Sequence, residues 1–216
     1  MTKKYELVLD DTISFWGWKL FRIRALISFG SVEAGDLGGY IEKEENLSHD
    51  DNAWVSGDAK VSGNAKVSGN AKVWGDAKVW GDAKVSGNAW VSGDAKVSGN
   101  AKVSGNAKVW GDAEVSGNAK VWGDAEVWGN AKVWGDAEVW GDAEVSKLGD
   151  IIVFKNHWSS GRHFTYTKSN KMWKVGCFYG TGQELIEKAY RDSEKSGNYY
   201  KAYVDFVETL ERLSEE

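Results

Sequence analysis

From Asn52 to Ser146 apolar and polar residues alternate with a period of six and no insertion, as sixteen copies of [Asn/Asp]-Ala-x-Val-[Ser/Trp]-Gly, the last of which ends at Ser146 before Lys147. The Ala series (Ala53 to Ala143) and the Val series (Val55 to Val145) stand two residues apart, so in an extended segment both point to the same side. That side is the predicted core. The residue between them faces solvent, and it is Lys in ten copies, Glu in four and Trp in two. Gly, preceded by Ser or Trp and followed by Asn or Asp, supplies the positive φ of a tight corner, because it has no Cβ to clash. Each hexapeptide therefore predicts one short strand and one corner. The fold class is mainly β: a single-stranded parallel β-helix in which each unit buries its apolar face only against its neighbours. Three sides of six residues close a triangular coil of 18, giving five and a third coils at about 4.8 Å each. A two-sided coil of 12 residues accommodates the same repeat.

Open strand edges at the ends of such a rod polymerise unless covered, and the flanks read as covers. Residues 1–50 form an N-terminal β cap, with strands over Tyr5 to Leu9 and Lys19 to Ile27 around a hairpin turn in Phe15-Trp16-Gly17-Trp18. Residues 51–146 are the solenoid. Residues 147–216 form a small C-terminal α+β cap: antiparallel strands over Ile151 to Phe154, Phe164 to Thr167 and Met172 to Phe178, then two helices. The first helix, 182–195, carries Leu185, Ile186, Ala189 and Tyr190 on one face; the second, 198–213, carries Ala202, Tyr203, Phe206, Val207 and Leu210.

Composition narrows the function classes. No stretch is apolar enough to span a bilayer, and the charged N-terminus runs into no secretory apolar core, so a cytoplasmic chain is expected. Cys177 is the only cysteine, which excludes an intrachain disulfide and a Cys-based zinc knuckle. The net charge of -5 and pI of 5.4 argue against general nucleic-acid binding. No cofactor or metal is expected.

The order Val-Ser-Gly-Asn-Ala-Lys resembles the hexapeptide pattern of left-handed β-helices, and this resemblance implies a left-handed coil. Leu20-Phe21-Arg22-Ile23-Arg24-Ala25, Ala34-Gly35-Asp36-Leu37-Gly38-Gly39-Tyr40-Ile41-Glu42, Glu45-Asn46-Leu47-Ser48-His49 and Gly176-Cys177-Phe178-Tyr179-Gly180-Thr181 together resemble the YdcK-type β-solenoid proteins of bacteria and phages. The resemblance covers nearly the whole chain. It implies a solenoid with folded ends, with Gly35, Asp36, Gly38, Gly39 and His49 at the junction of the N-terminal cap with the first coil, and it implies no reaction. The Gly35–Gly39 segment is read as a cap turn, since it lacks both the GK[ST] ending of a phosphate loop and the GxGxxG spacing.

The acyltransferases built on left-handed β-helices use a coil histidine as general base and a loop excursion, and residues 51–156 hold neither. Of the remaining reactive side chains, Cys177 is read as a small buried hydrophobe and His163 as a turn residue; a triad or metal site would need His157, His163 and Cys177 to converge. Nine tryptophans lie in the repeats, Trp54 and Trp90 at the outward x position and the others after an inward Val, so all nine are expected outside the core. On an 18-residue coil Trp110 stacks beside Trp128 and Trp122 beside Trp140, while Trp134 takes the third edge. Such rows either bind a partner or shield the backbone as ladders. Charge is polarised along the rod: residues 51–109 hold eight Lys and five Asp, +3, whereas residues 110–146 hold two Lys, four Asp and four Glu, -6. The resulting expectation is a non-catalytic scaffold or binding protein that presents Trp, Lys and Ser to a protein, a glycan or another copy of itself, with Trp110, Trp122, Trp128, Trp134 and Trp140 as the partner surface. The alternatives are an acyltransferase-like enzyme with a degenerate site, and a small-nucleotide or metabolite binder in phage–host conflict.

Overall fold

An Ala-x-Val step leaves only its middle side chain outside, and the computed structural model, which describes residues 3–215, repeats that step through sixteen two-residue strands. Ahead of them come β1 (Tyr5–Phe15), β2 (Trp18–Ala25) and β3 (Leu37–Ile41). The solenoid strands run from β4 (Trp54–Val55) to β19 (Glu144–Val145), one at each x-Val pair. Every inward Ala and Val of the repeat is at most 1% exposed.

Lys60 pairs in parallel with Lys78 and Val61 with Val79. That offset of 18 recurs along the rod, which decides for the three-sided coil over the two-sided one. The x-position N–H donates to an Ala carbonyl of the next coil, as Lys60 does to Ala77 at 2.9 Å, and the residue after Val donates likewise, as Ser62 does to Val79 at 3.0 Å. Three stacked sheets result. Face 1 holds β3, β5, β8, β11, β14 and β17; face 2 holds β4, β7, β10, β13, β16 and β19; face 3 holds β6, β9, β12, β15 and β18. At the corners every repeat glycine has φ between +61° and +76°.

The Asn/Asp column adds a side-chain ladder that the repeat pattern alone does not reveal. Asn52 donates to Asn70, Asn70 to Asn88 and Asn88 to Asn106, each at 3.0 Å, and Asn106 donates to Asp124 at 2.9 Å. A second ladder runs Asn100 to Asn118 to Asp136. Both run toward the C-terminus and stop at an aspartate, which as a carboxylate can only accept.

The N-terminal hairpin turns at Trp16 and Gly17, with φ of 50° and 85°, as two-residue hairpins require. β3 is where the sheet changes character. It pairs antiparallel with β2 (Arg22 to Tyr40) and parallel with β5 (Ile41 to Val61). Leu47 bridges Val67 in parallel, so buried Ile41 and Leu47 occupy valine places in a coil ahead of Asn52. The solenoid thus has about six coils, not the five and a third counted from the repeat.

Beyond the rod, β20 (Ile151–Lys155), β21 (His163–Thr167), β22 (Met172–Val175) and β23 (Phe178–Gly180) form an antiparallel sheet, followed by α1 (Gly182–Asp192) and α2 (Glu194–Glu215). The single strand expected over Met172 to Phe178 is two, reversing at Gly176 (φ 58°) and Cys177. The helices break at Ser193, not at Gly197. Ser193 Oγ accepts the Ser196 N–H at 3.1 Å, as an N-cap does, and Gly197 lies inside the second helix, where its bare Cα makes room for the Tyr190 ring, which a methyl group would approach to 2.2 Å. The buried stripe of α2 is Tyr200, Val204 and Val207; Phe206 and Ala202, expected there, are exposed. This subdomain covers the last coil: Glu138 N–H donates to Thr165 Oγ1 (2.9 Å), Glu144 N–H to Ser169 Oγ (2.8 Å) and Ser146 N–H to Asp150 Oδ2 (2.8 Å). Among the described residues no helix is long and apolar enough to cross a membrane.

Candidate functional site

The five C-terminal tryptophans separate into two groups. Trp110 and Trp128 stack at 6.0 Å and 7° on one edge of face 1, and Trp134 sits on the other edge with Lys132 Nζ 5.0 Å from its ring. Trp128 and Trp134 are exposed at 37% and 49%. β17 (Lys132–Val133) lies between them as the last strand of its sheet. Among the described residues nothing lies within 4 Å of where a Gly135 methyl would be, so the corner beside Trp134 is open, while Ile151 of the C-terminal cap packs on the core at this end of the rod. Trp122 and Trp140 pack at 4.8 Å and 35° on another edge, and the C-terminal cap closes over them: Lys174 Nζ lies 4.3 Å from the Trp140 ring, and Tyr179 Oη donates to the Trp140 carbonyl at 3.2 Å. Burial raises the Tyr179 pKa, and the nearby Asp142 charge adds to the shift. Trp122 Nε1 is buried without a hydrogen-bond partner among the described residues.

At the other end Gly35, Asp36, Gly38, Gly39 and His49 lie where the cap meets the coils. Only Gly35 (φ 97°) and Asp36 form a turn, the Asp36 carboxylate accepting the Glu33 N–H at 2.9 Å; Gly38 and Gly39 belong to β3, which corrects the reading of the whole segment as a turn. A methyl on Gly38 would meet Ile23 Cγ1 at 2.4 Å and the Val55 carbonyl at 2.6 Å, and one on Gly39 the Ala59 carbonyl at 2.7 Å. Both glycines are there for close approach. His49 stacks on Tyr5 at 4.3 Å, and its Nδ1 accepts the Lys4 N–H at 3.2 Å. Its neutral form therefore carries the proton on Nε2, 3.8 Å from Glu44. Lys4 is buried, and its ammonium donates to the carbonyls of Ala53 (2.9 Å) and Asp51 (3.3 Å). Burial pushes its pKa down to about 8, against the opposing pull of Asp51 and Asp50.

The reactive side chains do not all converge. His157 lies against Tyr199 and Tyr203. His163 opens β21, with Nδ1 3.1 Å from Asp136 of the last coil, so it is a strand residue and not a turn residue. Cys177 is exposed, not buried, because the β22–β23 reversal carries it outward. His163, Arg162 and Cys177 share the rim of a depression of about 300 Å³. Among the described residues no three His, Cys, Asp or Glu are grouped to hold a metal.

Sequence reasoning missed a groove on face 2, of about 570 Å³, lined by Trp74, Trp90, Lys72, Asn52, Asn70 and the loop around Ser31. Its signal was available once the coil is 18: Trp54, Lys72 and Trp90 then form one column. Trp54 is only 7% exposed and belongs to the core, against the expectation that no repeat tryptophan does; Phe29 (5.4 Å) and Tyr5 (6.3 Å) of the cap pack edge-on against it.

Comparison of the sequence with protein-family models finds no match, and comparison with curated proteins finds none either. The protein is a parallel β-solenoid of about six coils with an antiparallel N-terminal cap and an α+β C-terminal cap.

Proposed function

We propose that the chain is a non-catalytic β-solenoid binding protein of YdcK type, cytoplasmic, that displays Trp, Lys and Ser rows on a rigid frame and docks a protein partner on the C-terminal end of face 1. The observation that carries this reading is that β17, the last strand of its sheet, is flanked by exposed Trp128 and Trp134. An unpaired strand edge offers main-chain hydrogen bonds to an added strand, and large aromatics beside it supply anchors of about 2 kcal/mol or more where a partner excludes water. The exposed free thiol of Cys177 suits a reducing compartment. Serine fills the same corner slot elsewhere, as at Ser98 and Ser116 on the edge of Trp134, so Trp→Ser changes remove anchors without changing the frame. The test is a Trp110→Ser/Trp128→Ser/Trp134→Ser variant compared with the parent by light scattering and by capture of identified partners. Loss of capture or of self-association with an unchanged circular-dichroism spectrum supports the reading. Unchanged association together with a steep fall in stability would make these tryptophans structural ladders.

A further inference from the structure

The groove on face 2 differs in kind from the β17 edge. Its floor is backbone already paired between coils: the N–H groups of Trp54, Lys72, Trp74 and Trp90 donate to Ala71, Ala89, Val91 and Ala107. A peptide strand therefore has nothing to pair with there, and a ligand must be held by side chains. One wall is an aromatic corner in which Trp74 and Trp90 meet at 5.4 Å and 71°, leaving the 42%-exposed Trp90 open at the wide end. The opposite rim is the Asn52–Asn70–Asn88 ladder. Each of these amides uses one N–H along the ladder and keeps a second N–H and spare lone pairs for hydroxyl groups. The Ser31 loop closes the other end, where Gly30 packs on the Asn52 side chain and the Trp54 ring is sealed beneath the cap.

One cation stands inside this frame. Lys72 is half-buried, its ammonium is 3.5 Å from Ser31 Oγ, and among the described residues no carboxylate lies within 4 Å of it. Lys108, next in the column below Trp90, is already paired with Glu126 at 2.8 Å. A pocket with a single unneutralised ammonium at its closed end, amide and hydroxyl groups along one side and indole faces along the other fits a sugar ring bearing one carboxylate. The apolar C–H face of a pyranose covers an indole, its hydroxyls meet the amide rim, and few convergent polar groups set orientation. A nucleoside diphosphate or triphosphate brings more negative charge than one lysine offsets, and two indoles near a right angle do not sandwich a base. From Trp54 to Trp90 the groove runs two coil rises, about 9.6 Å, and the Ser31 loop blocks its Trp54 end, so it suits a chain terminus.

We propose that this groove binds the acidic terminal sugar of a glycan, the carboxylate on Lys72 and the sugar rings on Trp90 and Trp74. The test uses the full chain and measures titration calorimetry and tryptophan fluorescence with glucuronate-terminated and sialyl oligosaccharides, their neutral counterparts, uridine diphosphate, and a short acidic peptide. The acidic saccharides should bind at least ten-fold more tightly than the neutral ones. Lys72→Gln should abolish that preference, and Trp74→Ser/Trp90→Ala should weaken all saccharide binding ten-fold or more, with unchanged urea midpoints. Trp128→Ser/Trp134→Ser should bind saccharide as the parent does, which separates this groove from the β17 surface. Absence of saccharide binding at millimolar concentration, binding indifferent to the groove variants, or preference for the nucleotide or the peptide would each overturn the proposal, while leaving partner capture at β17 to stand or fall by its own variants.

Discussion

Alanine at Gly117 and at Gly135 separates two reasons why a corner must be glycine. The two residues occupy the same edge in adjacent coils with nearly the same backbone, φ 71° and 64°. A side chain in this left-handed region costs about 1–2 kcal/mol at either site. What differs is the neighbour. The Gly117 methyl would lie 3.0 Å from both the N and the O of Gly135 and 3.1 Å from its Cα, whereas the Gly135 methyl would meet nothing within 4 Å among the described residues. Backbone held in a ladder cannot swing aside as a side-chain tip can, so Gly117→Ala must also separate two coils, at a cost of about 1–3 kcal/mol by analogy with overpacked cores. Gly135→Ala is expected to destabilise by about 1–2 kcal/mol and Gly117→Ala by about twice as much. At about 2–4 °C per kcal/mol for a chain of this size, the two melting temperatures should differ by several degrees. Equilibrium urea unfolding, followed by far-ultraviolet circular dichroism and tryptophan fluorescence, measures the same difference. Equal midpoints for the two variants would show that φ alone selects glycine and that the stacking argument is wrong.

Trp54→Ser should cost about 3–5 kcal/mol, the range for emptying a large buried aromatic, while Trp128→Ser should cost under about 1 kcal/mol; comparable urea midpoints would mean that the cap does not bury Trp54 in solution. Stability should hold or rise from pH 8 to 10 and then fall. Lys4, lowered to about 8 from 10.5, leaves the folded state with fewer protons than the unfolded chain across that window, so its contribution grows with pH. The buried Tyr5, Tyr166 and Tyr200 and the half-buried Tyr179 are all raised above 10.0, chiefly by burial, so above that pH the unfolded chain loses protons that the fold retains. A urea midpoint independent of pH up to 11 would contradict these shifts, and Lys4→Met should remove the rise alone. Deleting residues 1–50 should leave insoluble or polymeric material, because the carbonyls of Ala59, Val61 and Val67 lose the N–H groups of Tyr40, Glu42 and Ser48; a soluble, monomeric 51–216 fragment would show that the N-terminal segment is not a cap.

A six-residue repeat carries its own folding instructions, because each strand meets only copies of itself. The spacing of Ala53 and Val55 sets the core, the isolated Gly sets the corner, and both readings survive in every coil since no distant residue competes with them. The stacking of Trp110 on Trp128 followed from the same arithmetic once three sides were assumed. The sequence left the number of sides open, because a strict six-residue period looks alike at 12 and at 18; only the pairing of Val61 with Val79 decides it. Everything else that needed the tertiary structure lies where the repeat meets something unlike itself. Ile41 and Leu47 resemble no repeat, yet they complete a coil because β3 is held between β2 and β5. Trp54 is buried and Trp90 exposed in identical local sequence, because residues 25 and 49 positions away, Phe29 and Tyr5, cover one and not the other. Gly197 lies inside a helix, where the Tyr190 ring leaves no room for a side chain. The groove around Lys72 arises in the same way: its column is written in the repeat, but its closed end is made by the Ser31 loop, which is far away in sequence and adjacent only after the cap has docked.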